Sequence, residues 1–143
     1  MIAAIEDGFA RSTNAALLAS RLLLAWIFVH EGAFLSTNFD AAAVGMAKLG
    51  VPGLALVATI VLQLAAGTAI TLGLLTRLGA GALALFCFAT AVLFHTNFAI
   101  RNELLHFEKD LAIAGGLIAL MVHGAGAWSL DAVLRRKFQL LPG

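Results

Sequence analysis

Four long apolar runs divide the chain, Leu17 to Leu35, Gly53 to Leu75, Leu78 to Phe98 and Phe107 to Val122, with the polar residues gathered between them and at their ends. Each run approaches the ~20 residues that carry a helix across ~30 Å of hydrocarbon at ~1.5 Å per residue. The fourth is the shortest and spans only if its polar first turn is included. The pattern predicts an all-α fold: an integral membrane four-helix bundle, up-down-up-down, in a single domain over residues 1–143. The expected spans are 17–35, 53–75, 78–98 and 106–124.

The links refine this picture. Spans two and three are joined by "LLTRLG", so short that they form an antiparallel hairpin. Span two enters through "GVPG", where Pro52 suits a first helical turn whose N–H is unpaired anyway. The longest link, "STNFDAAAVGMAKLG", carries Met46, Leu49 and Val51 at a spacing that suggests a short interfacial helix. After span four, "AWSLDAVLRRKF" reads as a short amphipathic interfacial helix at about 129–138. Ser129 caps it; Leu130, Val133, Leu134 and Phe138 face lipid, and Asp131, Arg135, Arg136 and Lys137 face water. Trp128 suits the interfacial belt. Ile2, Ile5 and Phe9 hint at a weaker device of the same kind.

Small residues recur every four positions and predict close helix contacts: Ala65, Ala69 and Gly73 on span two, Ala80 and Ala84 on span three, Ala112 and Gly116 on span four. The same rows would serve as seams of a homo-oligomer, and spacing does not separate the two uses.

Composition agrees with a bilayer protein: 62% of the 143 residues are hydrophobic and 12% charged, too little polar surface for a soluble domain of this length. The first run follows a basic residue as a signal peptide would, but three further spans follow it, so it reads as a retained anchor. Arg11, Arg21, Arg77, Arg135, Arg136 and Lys137 fall on the side of the termini, and Lys48, Arg101 and Lys109 on the other, which places both termini in the cytoplasm. A net charge of +1 without a basic stripe gives no reason to expect a nucleic-acid partner. The single cysteine, Cys87, forms no intramolecular disulfide and reads as a small buried hydrophobe.

Depth then sorts the polar side chains. His30 and Glu31 lie ~20 Å from the inner edge of span one, and His95 lies ~25 Å along span three. His106, Lys109 and Asp110 occupy the outer start of span four. Three helices thus deliver ionisable groups to one outer layer, and such groups within a membrane usually turn into the bundle, find partners and mark function. Glu103, His106 and Asp110 fall within about 60° on one helical face, above Ile113 and Leu117, with Lys109 at the edge of the sector and Glu108 pointing away. Gln63, ~15 Å into span two, reads as an amide that bonds across helices. Arg21, near the inner edge, reads as snorkelling to lipid phosphate.

Metal and haem chemistry find weaker patterns. Di-iron bundles use two Glu-x-x-His spacings in the bundle core; here one, Glu103 with His106, stands at a helix mouth. A mononuclear site drawn from His30, His95, His106, Glu31 and Asp110 is chemically sensible, but no ligand set is fixed by spacing. A bis-His haem between His30 and His95 would need both rings aimed inward across a porphyrin-wide gap. His123 stands apart at the inner end.

Taken in order, "RLLLAWIFVHEGAFL", "LGVPG", "LGLLTRLGAGALALFCFATAVLFH", "HFEKDLAIAGGLIAL" and "WSLDAVL" resemble the DoxX family of small bacterial membrane proteins from about Arg21 to Arg135. The resemblance implies a multi-pass four-helix bundle in the bacterial inner membrane, associated with redox systems such as thiosulfate:quinone oxidoreductases. Relatives often carry a Lys soon after the Gly that ends span one, where this chain reads Gly32-Ala33-Phe34-Leu35, and Lys-Asn where it reads Lys109-Asp110. A sulfur substrate is therefore not carried over.

The expectation is a membrane subunit of a quinone-linked oxidoreductase or redox-stress system. His30, Glu31, His95, His106, Lys109 and Asp110 would hold a quinone head group or relay its proton, with oxidoreductase subunits as partners. A non-catalytic anchor or assembly factor is the alternative. A solute transporter finds less support, since no span is broken by Pro and no inverted repeat is evident.

Overall fold

The computed structural model describes residues 2–139, with side chains described from Arg11 onward. It is all-helical, with no strand among the described residues: α1 (Ile2–Thr37), α2 (Phe39–Lys48), α3 (Gly53–Leu72), α4 (Thr76–Phe94), α5 (Arg101–His123) and α6 (Leu130–Gln139). The side chains of Ile2, Ile5 and Phe9 lie outside the described residues.

Among the described residues, three helices are long and apolar enough to cross a membrane: Arg11–Thr37 within α1, then α3 and α4. Helix α5, the expected fourth span, runs 23 residues, but its first half holds Arg101, Glu103, Glu108, Lys109 and Asp110. The surface is inverted relative to a soluble protein. Leu23, Leu54, Leu78 and Leu93 are all at least 70% exposed, an arrangement that water would penalise and hydrocarbon does not.

Helix α1 packs on α3, α3 on α4, α4 on α5 and α5 back on α1, while α2 touches the ends of α1 and α3. The core between them is built from Ala25, Phe28, Ile70, Leu83, Ala114 and Leu117 among others. Small residues set the closest approach. A Cβ added at Gly67 would stand 2.9 Å from Val29 Cγ2, and one at Gly32 would stand 2.9 Å from Leu64 Cγ, so α1 and α3 meet where two glycines leave room. Ala80 and Ala84 are buried as their spacing suggests, but Ala65 and Ala112 are exposed. The tight face of α3 runs instead through Ala66, Gly67 and Ile70. Four-residue spacing occurs on more than one face of an alanine-rich helix, so spacing alone does not choose the buried one.

Boundaries differ from the apolar runs in readable ways. Helix α1 begins fifteen residues before Leu17, because nothing in the polar segment breaks a helix. Pro52 is the N-cap of α3, one residue ahead of the first turn. Helix α4 stops at Phe94, so His95 lies just past its end as the C-cap residue. In the link between α1 and α3, α2 contains Met46 but ends before Leu49 and Val51.

Below the core, the α3–α4 hairpin locks to the chain entering α6. Gly73 ends α3 at φ 69°, with Leu74 N–H donating to Ala69 O at 2.8 Å, a glycine-dependent stop. Leu75 follows at φ 50°, a left-handed conformation that a residue with a Cβ adopts at a cost of roughly 1 kcal/mol. Asp131 offsets that cost. Its Oδ1 accepts from Leu75 N–H at 2.9 Å and its Oδ2 from Thr76 N–H at 3.2 Å, so a carboxylate at the start of α6 caps the start of α4. Ser129 Oγ accepts from Ala132 N–H at 3.2 Å, the capping role its position suggests.

Arg21 completes the lock. It is 1% exposed, and its Nη2 donates to Trp128 O at 2.8 Å, with Asp131 in electrostatic reach. Reaching lipid phosphate is thus not how the side chain is used here. It bonds a carbonyl 107 residues away, a partner that local sequence does not reveal.

Candidate functional site

Near the other end of the helices, α1, α3, α4 and α5 surround a cleft of about 350 Å³, within the roughly 300–1,000 Å³ usual for small-molecule sites. Glu31 from α1, His95 after α4, and His106, Lys109 and Asp110 from α5 line it together with Gln63 from α3. Five of the six residues expected in the outer polar layer therefore meet around one space. His30 does not. It is exposed and its ring stacks on Trp26, centroids 6.0 Å apart and planes at 27°. Consecutive helical residues point about 100° apart, so His30 and Glu31 cannot both face inward.

The walls are apolar: Ile27 and Phe28 from α1, Phe86 from α4 and Ile113 from α5. Leu117 is buried one turn below Ile113, so the polar groups cap an apolar stripe. Glu108 is exposed and does not line the cleft.

The polar side chains are joined in pairs. His95 Nδ1 lies 2.8 Å from Glu103 Oε2, and a carboxylate only accepts, so the hydrogen sits on His95 Nδ1. Lys109 Nζ lies 2.9 Å from His106 Nδ1, and an ammonium only donates, so His106 Nδ1 accepts and its hydrogen sits on Nε2. Neutral His95 thus keeps an accepting Nε2 and neutral His106 a donating one. Glu103 contributes through His95 and is not itself a wall residue.

Two features were not legible beforehand. Thr90 Oγ1 lies 2.9 Å from Asp110 Oδ2, with the carbonyls of Phe86 and Cys87 at 3.1 and 3.0 Å; the charged acceptor is the stronger claimant on its one hydrogen. A helical threonine can bond its own backbone, so its sequence position advertises nothing. Cys87, buried in α4, also lines the cleft.

Gln63 is 5% exposed, and its Oε1 finds no hydrogen-bond partner among the described residues. A buried amide oxygen left unpaired costs roughly 1–3 kcal/mol, so the bond expected across helices is not made by this atom, and the cleft presents an acceptor. Among the described residues no group of three or more His, Cys, Asp or Glu side chains is gathered closely enough to hold a metal ion.

A family model described as DoxX matches residues 16–96, which takes in most of α1 and all of α2, α3 and α4. Two proteins of Escherichia coli (strain K12) align over most of both chains. Inner membrane protein YqjF is 38% identical over 122 residues, covering 85% of this chain and 94% of the relative. Inner membrane protein YphA is 34% identical over 122 residues, covering 80% and 87%. No solved structure gives a significant match. With its apolar helices and this alignment over more than half its length, the chain is a membrane protein belonging to the DoxX family.

Proposed function

We propose that the protein is a multi-pass inner-membrane subunit of a quinone-linked oxidoreductase or redox-stress system, and that the cleft receives the quinone head group. In this reading α5 is the fourth span of an up-down bundle, α6 lies at the interface, and both termini are cytoplasmic by the distribution of Lys and Arg. The observation that carries the reading is the pairing, in one apolar-walled cleft, of an unpartnered acceptor, Gln63 Oε1, with two histidines of opposite hydrogen-bonding sense.

A quinone supplies two-electron chemistry coupled to two protons, and the electrons pass to or from a partner oxidoreductase subunit. The residues of this chain handle the rest. Gln63 Oε1 would accept a hydrogen bond from one ring hydroxyl, His106 Nε2–H would donate one to the other ring oxygen, and His95 Nε2 would take the two protons in turn. Glu31, which lines the same cleft, would pass each proton onward. Phe28, Phe86 and Ile113 would flank the ring.

The test is binding of a short-chain ubiquinone analogue to detergent-purified protein. Glu31→Gln and His106→Ala are each expected to weaken it about tenfold, the scale of one lost hydrogen bond to a charged or positioned group. Unchanged affinity in both variants sinks the proposal.

A non-catalytic anchor that recruits an oxidoreductase draws support from the exposed Arg135, Arg136 and Lys137 on α6. It predicts that alanine at Glu31, His95 and His106 leaves function intact, while deletion from Arg135 onward abolishes it.

A further inference from the structure

A second cleft, larger than the first at about 530 Å³, opens where the start of α4, the end of α5 and α6 converge. Its charged lining is Arg77, Arg135, His123 and Asp131. The acid is already engaged, since both oxygens of Asp131 accept backbone N–H groups of the α4 cap. Neither guanidinium is held in an ion pair among the described residues. Arg77 lies across Gly124, whose φ of 79° and missing Cβ leave the approach open; a Cβ there would stand 3.2 Å from Arg77 Nε. His123 donates from Nδ1 to Ala119 O at 2.8 Å, which leaves its Nε2 uncommitted.

The floor carries an independent mark. Thr76 is wholly buried, lines this cleft, and its Oγ1 has no hydrogen-bond partner among the described residues. Beside it, the backbone N–H groups of Arg77 and Leu78 belong to the first turn of a 19-residue helix, where no intrahelical carbonyl reaches them. An unpaired hydroxyl, free helix-start donors and two unpaired guanidinium groups all favour one ligand chemistry, a phosphate diester or monoester. The outer wall is apolar: Leu78 and Phe138 are 71% and 70% exposed, with Leu134 between. A soluble anion has no use for such a wall, whereas acyl chains do.

We propose that this cleft is a binding site for an anionic glycerophospholipid, its phosphate between Arg77, Arg135 and Thr76 and its chains along Leu78, Leu134 and Phe138. Basic pockets between helices at a membrane boundary are suited to such head groups. The site is separate from the quinone cleft and stands whether or not that reading holds.

The test is native mass spectrometry of the full chain in detergent, with phosphatidylglycerol and phosphatidylcholine supplied together. The wild type is expected to retain phosphatidylglycerol about tenfold over phosphatidylcholine, as two basic contacts allow. Arg77→Gln with Arg135→Gln should bring the ratio near one, while Arg77→Lys with Arg135→Lys keeps most of it and serves as the folded control. Arg136→Gln with Lys137→Gln, on residues that do not line the cleft, should leave it unchanged. Equal retention of the two lipids by the wild type overturns the proposal. So does an equal loss in the Arg136 and Lys137 variant, or displacement of the bound lipid by millimolar inorganic phosphate.

Discussion

The ring of His95 lies over the ring of His106, centroids 5.1 Å apart and planes at 25°. One ring is anchored by Glu103 and the other by Lys109, so the two neighbours carry their hydrogens on opposite nitrogens. Nitrogen-15 NMR of imidazole-labelled protein at a pH where both rings are neutral should show His95 as the Nδ1–H tautomer and His106 as the Nε2–H tautomer. Glu103→Ala should release His95 into a tautomer mixture without changing His106. Identical tautomers in the wild type would remove the basis for separate donor and acceptor roles.

Gln63 separates stability from binding. Replacing it with leucine removes a buried, unpaired oxygen from an apolar layer, so Gln63→Leu is expected to stabilise the protein by about 1 kcal/mol. The same change should weaken the quinone analogue about tenfold. Thermal melting in detergent alongside a binding isotherm decides; a stabilised variant with unaltered affinity would show that the ligand does not use this atom.

The cap that Asp131 places on α4 has a measurable share in stability. Asp131→Ala should cost about 1–2 kcal/mol, and Asp131→Asn, which keeps one acceptor, markedly less. Because the same side chain ties α6 to the hairpin, limited proteolysis should cut within α6 faster in the alanine variant. Equal melting temperatures for all three proteins would refute the assignment.

At Gly67 the prediction concerns packing. Gly67→Val drives a side chain into Val29 and its backbone, and overfilling a tight contact costs roughly 1–3 kcal/mol. Spreading α1 from α3 also separates Glu31 from Gln63, so quinone affinity should fall with stability. The same substitution at Gly115, whose added Cβ would meet nothing within 4 Å, should be tolerated.

The apolar helices were legible because hydrocarbon length and helix rise leave few alternatives, and the shared level of Glu31, His95, His106, Lys109 and Asp110 was legible because position along a helix follows from counting residues. Azimuth was harder. His30 and Glu31 share a depth, yet one stacks on Trp26 outside the cleft and the other lines it. Gly73 announces its turn, while Leu75 at φ 50° has no residue-type signature and is explained by Asp131, 56 positions away. Thr90 and Arg21 share that difficulty, since their partners lie on distant segments, Asp110 on α5 and Trp128 in the loop before α6.

The bond from Arg21 to Trp128 bears on biogenesis. Ribosomes add roughly 5–20 residues per second, so 107 residues take roughly 5–20 s to follow. For that interval the first helix must hold a guanidinium whose permanent partner has not been synthesised. Arg21 is mid-helix in α1 but only four residues inside the expected 17–35 span, so its long side chain lets the charge wait among head groups and withdraw when the loop before α6 arrives. Closure of this end of the helices therefore waits on the loop before α6, and a ribosome stalled before Trp128 would leave the first helix inserted but unlatched.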